Sequence, residues 1–422
     1  MQTEFRVEIA FSTGPMEMPA WEDITAYVRG HIGIRRGRQR ELSRIEAGTA
    51  SFSLDNRDRR FDPTNTAGPY YGQLVPMKRV RISTVRYVAA GGTIVELLRP
   101  LFTGYIERWN LRYDTRDAWV EVEAVDGFKL LAMARLIEAE FPEQLSSERV
   151  GAILDTAGWS TGETWALDIS ILGDSTVLGP WGDRVIEDGL SRVAYTYIED
   201  GTALDALQET AEAEGGWLFI RKDGLLAFYN RHHTLLPAGG IYSYGFSNTS
   251  PTTHAQFNDL EVGLDDDLLY NHVIIKGTEI DDQEVEDSAS IQDYFRRTLS
   301  ISNDLIVSND EAYQMANYLL TRYKEPTTRI HRLIVPSPNT AVTDSVRATV
   351  EIGDIVSVTY TPPPGTSSPV VMRLAIQGIE HDIDMETGAW SSVFDVYMLD
   401  PYSYWALDNE YCSLGTLTRL AW

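Results

Sequence analysis

The sequence predicts a mainly β protein in which two similar β-barrels flank an α+β insert. Three observations carry that expectation. Both ends of the 422-residue chain alternate apolar and polar residues with period two. The middle changes to helical spacing followed by a hairpin. And one short β pattern occurs twice, once in each end portion.

In the first portion, Phe5-Arg6-Val7-Glu8-Ile9, Ala50-Ser51-Phe52-Ser53-Leu54, Val80-Arg81-Ile82 and Trp119-Val120-Glu121-Val122-Glu123 read as strands. Turn-forming residues crowd Asp55 to Pro76, which predicts a long loop ordered by itself or by a partner. In the middle, Ser147-Glu148-Arg149-Val150 opens a helix with Val150, Ile153, Leu154 and Ala157 on one face, stopped at Gly158. Thr202 caps a second helix carrying Leu204, Leu207 and Ala211, ended by Gly215-Gly216. Trp217 to Ile220 and Leu225 to Tyr229 then flank Asp223-Gly224, a dipeptide suited to a tight hairpin.

The last portion returns to strands at His272 to Lys276 and Ile355 to Val358. One helix interrupts it. Ser308-Asn309-Asp310-Glu311 has the spacing of a reciprocal capping box. Ala312, Met315, Ala316, Leu319 and Tyr323 form its apolar stripe, and Pro326 stops it.

The recurring pattern is Leu101-Phe102-Thr103-Gly104-Tyr105-Ile106-Glu107 and Leu374-Ala375-Ile376-Gln377-Gly378-Ile379-Glu380. Each copy follows an alternating strand, Val80-Arg81-Ile82 or Val356-Ser357-Val358, and precedes a tryptophan, Trp119 or Trp390. A glycine inside a strand marks a bulge or a close backbone approach, so both copies are expected to need it.

Charge narrows the function. With 36 basic and 62 acidic side chains the net charge is −26, which disfavours binding to nucleic acid or anionic lipid. The imbalance is not uniform: residues 1–131 hold 19 basic and 17 acidic side chains, and residues 132–422 hold 17 and 45. The basic cluster Arg29, Arg35, Arg36, Arg38, Arg40 and Arg44 reads as a solvated or subunit-facing stretch, because Glu41 and Glu46 interrupt it and no aromatic platform accompanies it. Cys412 is the only cysteine, so neither an intramolecular disulfide nor a cysteine zinc site is expected. No secretory leader and no run of about 18 uncharged apolar residues is found, so no membrane anchor is expected.

No phosphate-cradling, dinucleotide, hydrolase-elbow or helical zinc-protease motif occurs. The seven histidines, His31, His232, His233, His254, His272, His331 and His381, lack metal-ligand spacing and read as structural or surface, with His232 and His233 on opposite faces of a strand. Asp382, Asp384 and Glu386 share one edge and suit either a calcium ion or a polar hairpin loop, the latter favoured by the absence of an EF-hand glycine. Catalytic, cofactor and metal residues are therefore expected to be none. An enzymatic alternative, a hydrolase of cell-wall glycan or peptide, has only Asp155, Asp168, Asp174, Asp183, Glu187 and Asp188 to draw on. A carbohydrate-binding alternative rests on Tyr242-Ser243-Tyr244-Gly245-Phe246, which reads more simply as strand and core.

Further residues carry a family resemblance. Trp21-Glu22-Asp23-Ile24-Thr25, Gly37-Arg38, Gly48-Thr49-Ala50, Leu54-Asp55-Asn56, Phe61-Asp62-Pro63 with Asn65, Pro69-Tyr70-Tyr71 and Leu101-Phe102-Thr103-Gly104 resemble the opening of minor tail proteins of long-tailed bacteriophages. Asn271, the stretch Ser288 to Arg297, Leu319 to Tyr323 before Glu325-Pro326, Ile352 to Val356 and Gly378 to His381 follow in the order of that family's carboxyl half. Such proteins are similar to the tail hub, which closes the tail tube and joins it to the tip. The resemblance implies two tail-tube-like β-barrel domains, 1–131 (with loop 55–76) and 253–422 (with helix 309–324), around an insert at 132–252. It implies a homotrimer in the virion whose six barrels continue a sixfold tube. Its partners would be a distal tail or tube-side ring protein, a tip or central fibre protein and the tape-measure protein, with DNA passing through unbound. The alternative within the class is the distal tail protein, a hexamer with one barrel per chain.

Overall fold

The computed structural model describes residues 3–90, 93–159, 184–234, 244–250, 252–264, 266–337, 340–362 and 368–399, with backbone alone for two short strands, Ser403–Trp405 and Thr418–Leu420. Of the residues singled out above, Asp168, Asp174, Asp183, Tyr242, Ser243 and Cys412 lie outside the described residues.

The amino-terminal portion supplies β1 (Glu4–Ala10), β2 (Glu22–Asp23), β3 (Val28–Gly37), β4 (Glu46–Asp55), β5 (Arg79–Ala90), β6 (Thr93–Tyr113) and β7 (Ala118–Val125). The middle supplies α1 (Phe128–Met133), β8 (Arg135–Phe141), β9 (Gln144–Leu145), α2 (Ser146–Thr156), β10 (Arg184–Ile186), β11 (Arg192–Val193), β12 (Thr196–Thr202), α3 (Ala203–Glu214), β13 (Trp217–Ile220) and β14 (Leu226–Tyr229). The rest comprises β15 (Tyr244–Ser247), β16 (Ala255–Gln256), β17 (Asp259–Gly263), β18 (His272–Lys276), β19 (Gln283–Glu286), α4 (Ser288–Tyr294), β20 (Thr298–Ser302), α5 (Asn309–Tyr323), β21 (Arg329–Val335), α6 (Ala341–Thr349), β22 (Ile355–Tyr360), β23 (Val370–Asp384) and β24 (Trp390–Met398). The protein is mainly β, with helices grouped in the middle and around two insertions.

The first and last portions repeat one topology. The neighbours run β3-β4-β7-β6-β5-β1-β2 in one and β17-β21-β24-β23-β22-β15-β16 in the other. Numbered one to seven along each copy, both read 3-4-7-6-5-1-2. Only the sixth position changes direction: β1 is antiparallel to β5, whereas β15 is parallel to β22. Each sheet curls around its own core, one holding Val7, Phe52, Val80, Phe102 and Val122, the other Phe246, Leu333, Val356, Leu374 and Phe394. Strand pairing closes neither sheet into a barrel among the described residues.

The register of the repeat differs from the one the glycines suggest. β5 starts pairing β6 at Arg79 opposite Tyr105, and β22 starts pairing β23 at Ile355 opposite Ala375. A bulge then follows at Glu107 in β6 and at Gln377 in β23. Tyr105 therefore corresponds to Ala375 and Glu107 to Gln377, so Gly104 and Gly378 sit four residues out of step. Each nonetheless permits a close approach: a Cβ would stand 2.5 Å from the Val125 carbonyl oxygen at Gly104 and 2.6 Å from that of Arg38 at Gly378. The tryptophans are out of step by one, since Val120 matches Ser392 across the ladders. A slip of one residue exchanges sheet faces. Accordingly Trp390 is 1% exposed, while Trp119 is half-buried under the Arg29 guanidinium.

Helices and hairpin form where their signals stand. Thr202 accepts the Asp205 N–H and α3 ends on Gly215 at φ +68°. Gly224 takes φ +91° in the hairpin turn. Ser308 caps α5 by accepting from Glu311 N–H, but the box is not reciprocal: the Glu311 carboxylate instead accepts the Arg192 N–H at 3.3 Å. The β13–β14 hairpin is buried on both faces. Leu218, Ile220, Leu226 and Phe228 enter the core of the middle portion, and Trp217, Phe219, Ala227 and Tyr229 enter the core of the second sheet. At roughly 25 cal/mol per Å² of apolar surface removed from water, such two-sided burial fastens the insert to that sheet. A fourth core joins α5 to β18, through Val273, Ile275, Met315, Ala316 and Leu319. That unit is inserted between the third and fourth strands of the second copy.

The 55–76 loop is ordered by its own side chains. Asn56 Oδ1 accepts the Phe61 N–H, Asp62 accepts the Thr64 N–H and hydroxyl, and Phe61 stacks among Phe11 and Tyr70.

Candidate functional site

The place where the two sheets and the insert meet is built from distant residues. β3 lies antiparallel against the C-terminal half of β23, from Gly37 opposite Gly378 to His31 opposite Asp384. β23 is long enough to serve two edges in turn, with β22 beside residues 370–375 and β3 beside 378–384. The seam pairs a basic strand with an acidic one: Arg35 stands 3.5 Å from Glu380, and His31 Nδ1 stands 3.0 Å from Asp382. Asp382 raises the His31 pKa through that hydrogen bond.

Beneath the seam lies a buried charge cluster. Arg36 donates to Glu351 at 2.6 Å and to the Ile220 carbonyl at 3.0 Å, tying β3 to the α6–β22 connection and to the hairpin. The Lys222 N–H donates to the other Glu351 oxygen at 2.9 Å, and its ammonium donates to the Ala348, Thr349 and Val350 carbonyls at the end of α6. Burial alone would lift the Glu351 carboxyl, but the Arg36, Lys222 and Arg221 charges hold it below the usual range. Burial pushes Lys222 down to about 8. Nearby, Asp126 accepts the Gly48 and Phe128 N–H groups at 2.5 and 3.0 Å, yet burial pushes it up to about 7.

The arginine cluster is split between the interior and the surface. Arg36 is buried, Arg38 lies 4.8 Å over the Trp217 ring, Arg29 pairs with Asp117 and Arg44 with Glu212. The expectation of a solvated or subunit-facing stretch fails for Arg36, which is buried against Glu351, whereas Arg35 and Arg44 are 51% and 54% exposed beside their carboxylates. Arg40 alone is exposed and without such a pair in the described set.

The enzymatic candidates among the described residues are engaged by other side chains. Asp155 pairs with Arg184, and Glu187 holds His233 at 2.6 Å and the Asn230 N–H at 3.1 Å. His232 and His233 occupy a turn rather than a strand, because the Asn230 side chain caps the segment by accepting the His232 N–H. Asp384 organises the 384–388 turn by accepting the Glu386 N–H and the Thr387 hydroxyl, while Asp382 is spent on His31, so the three acids behave as a polar hairpin loop. Tyr244 to Ser247 form β15, with Phe246 in the core.

Two groupings carried no sequence signal. Glu214, fully buried, accepts from Ser146 Oγ and from the Leu190 and Ser191 N–H groups. His272, Glu284 and Glu286 bring three ligand atoms within 4.8 Å of one another, but Arg296 already engages Glu286 at 2.5 Å and Glu284 at 3.8 Å. A cleft of about 410 Å³ contains Arg38, Glu41, Trp217, Arg322 and Tyr397. Its Glu41 is taken by Arg322 at 3.1 Å and by the Tyr323 hydroxyl at 2.9 Å. Among the described residues no helix is long and apolar enough to cross a membrane.

Comparison places the fold. No protein-family model matches the chain, and no curated protein sequence matches it. Solved structures do. The tail protein from Neisseria meningitidis MC58 superposes with a TM-score of 0.56 at 11% identity, covering 94% of this chain and 97% of its own. The prophage MuSo2 43 kDa tail protein from Shewanella oneidensis superposes with a TM-score of 0.54 at 12% identity, covering 95% and 98%. The chain has the fold of phage tail proteins over nearly its whole length.

Proposed function

We infer that this protein is a structural component of a phage tail, a hub that closes the tail tube and joins it to the tip. The observation that carries the reading is the repeat: one chain holds two seven-strand halves of one neighbour order, joined through β3 and β23 in a single 14-stranded sheet. Three such chains present six equivalent sheets, which is what a threefold tip needs to meet a sixfold tube. A distal ring of six chains needs only one sheet per chain, so the second sheet favours the hub. Its neighbours would be a tube-side ring protein, a tip or central fibre protein and the tape-measure protein.

The acidic excess of residues 132–422 suits a conduit for DNA. Like charge repels phosphate near the wall, within a Debye length of about 8 Å at physiological salt, so the nucleic acid passes without sticking. Acids of the last portion line the bore in this reading, and the near-neutral first portion makes more of the contacts to adjoining rings. The satisfied carboxylates described above favour a structural role over a hydrolase.

Quantitative mass spectrometry of purified particles tests the assignment. Three copies per particle are expected; six copies would favour the distal ring. Turnover of peptidoglycan by the purified protein would favour the hydrolase.

A further inference from the structure

The cleft beside the β3–β4 turn holds a positive charge that the chain itself leaves without a counter-charge. Gly37 ends β3 at φ +91°, where a Cβ would stand 2.3 Å from the Gln377 carbonyl oxygen, and the Arg38 N–H donates to that same oxygen at 2.8 Å. The backbone is thereby pinned to β23. The Arg38 side chain leaves the seam for the cleft, which lies between this turn, the α3–β13 junction, β20 and α5. There its guanidinium lies 4.8 Å over the Trp217 ring, Trp217 adjoins Tyr397 at 5.7 Å between centroids, and Arg322 lies 4.8 Å over Tyr397.

The two guanidiniums that flank these rings differ in their partners. Arg322 has Glu41 at 3.1 Å. Arg38 Nη1 donates to the Ser43 carbonyl at 2.9 Å, its Nε is buried without an acceptor, and no carboxylate among the described residues forms an ion pair with it. Burial pushes Arg38 below its ordinary value, as expected for a cation short of counter-charge. The other cations of the wall are compensated, Arg44 by Glu212 and Arg231 by the buried Glu214 at 3.6 Å. Four guanidiniums thus meet three carboxylates, a local excess of positive charge in a chain whose net charge is −26.

We propose that the cleft binds a carboxylate carried on an apolar body, with the carboxylate on the free edge of the Arg38 guanidinium and the body against Met315 and Tyr318. A guanidinium stacked on a ring keeps its N–H edge for a planar carboxylate. One carboxylate supplies the single missing charge, whereas a phosphate dianion would exceed it beside Glu41 and Glu212. Ile45, Trp217, Met315 and Leu319 give the remaining wall apolar surface rather than further charge. The volume of about 410 Å³ lies within the roughly 300–1,000 Å³ of small-molecule sites. This site does not depend on the hub reading. A small free acid and the carboxyl terminus of a peptide share the required chemistry, and the test separates them.

Calorimetric titration of the full chain with N-acetyl-phenylalanine, its amide and inorganic phosphate tests the proposal. The acid is expected to bind with a dissociation constant below about 1 mM, and the amide, which lacks the charge, about tenfold or more weakly. Arg38→Met is expected to bind the acid no better than the native chain binds the amide. Ser300→Trp, at an exposed position on the β20 wall, is expected to block the acid. Should Arg38→Met fail to fold, the acid-to-amide ratio of the native chain and the Ser300→Trp result decide. Acid and amide binding alike, phosphate binding more tightly than the acid, undiminished binding to Ser300→Trp, or no binding at about 5 mM acid would each overturn the proposal. A tetrapeptide of three alanines and a carboxyl-terminal phenylalanine separates the sources. Tighter binding than N-acetyl-phenylalanine assigns the site to a peptide terminus, equal or weaker binding to a small acid, and either upholds it.

Discussion

The two sheets follow one path but are used differently. In the first, the fourth and fifth strands are joined by the 55–76 loop, which folds on its own asparagine, aspartate and aromatic side chains. In the second, the same connection is the short helix α6, whose last carbonyls hold Lys222. Between the third and fourth strands the first sheet has a brief turn, whereas the second admits a whole unit with its own core. The lesson is that strand order tolerates large insertions at its connections, while the seam between the sheets is fixed by buried charge. Surface loops accommodate such additions at small entropic cost, but an unpaired buried ion is expensive.

The seam should therefore be the most sensitive place. Glu351→Ala leaves Arg36 and Lys222 buried without their shared carboxylate, and is expected to cost about 3–5 kcal/mol in urea unfolding. A loss under about 1 kcal/mol, the range of exposed pairs, would mean the cluster does not hold the halves together.

The tryptophan pair sharpens the register. Trp390→Ala, in the core of the first sheet beside Phe5, is expected to cost about 3–5 kcal/mol. Trp119→Ala, half-buried on the other face, should cost clearly less. Equal losses would contradict the one-residue offset between the two strands.

The glycines make a third comparison. Gly104→Ala and Gly378→Ala each drive a methyl against a backbone carbonyl, so each is expected to lose about 1–3 kcal/mol. Thermal melts that move for one and not the other would show that the close approaches differ.

The most gradual effect is in pH. Asp126 is pushed up to about 7 in the folded chain from an ordinary 3.8. Between those values the unfolded chain has lost the proton and the folded chain keeps it, so stability falls as pH rises from about 4 to 7 and then levels off. The slope from this group is at most about 1.4 kcal/mol per pH unit. Asp354 and Asp395, both raised to about 6, act in the same direction, so the informative quantity is the difference between the native chain and Asp126→Asn. The variant should flatten the fall; an unchanged slope would remove Asp126 from the account.

What the sequence made legible was local. The cap at Thr202, the stop at Gly215, the Asp223-Gly224 turn and the stripe of α5 depend on neighbours in the chain, and each appears where its residues predict. Partner choice is not local. Nothing in His272 to Lys276 says that this apolar strand joins a three-stranded sheet under α5 rather than the large sheet. The repeat was visible through its glycines and tryptophans, but its register is set by the bulges at Glu107 and Gln377, which have no residue signature. The seam was illegible for the same reason: Arg36 and Glu351 lie 315 positions apart.

The central claim is that the two sheets are equivalent enough for three chains to imitate six. The most direct measurement is an electron cryomicroscopy reconstruction of the native tail tip computed without imposed symmetry. A ring of three chains whose six sheets alternate at one radius, with true threefold and approximate sixfold symmetry, is the result expected. Six chains in the ring, or three chains whose two sheets lie at different radii, would contradict it.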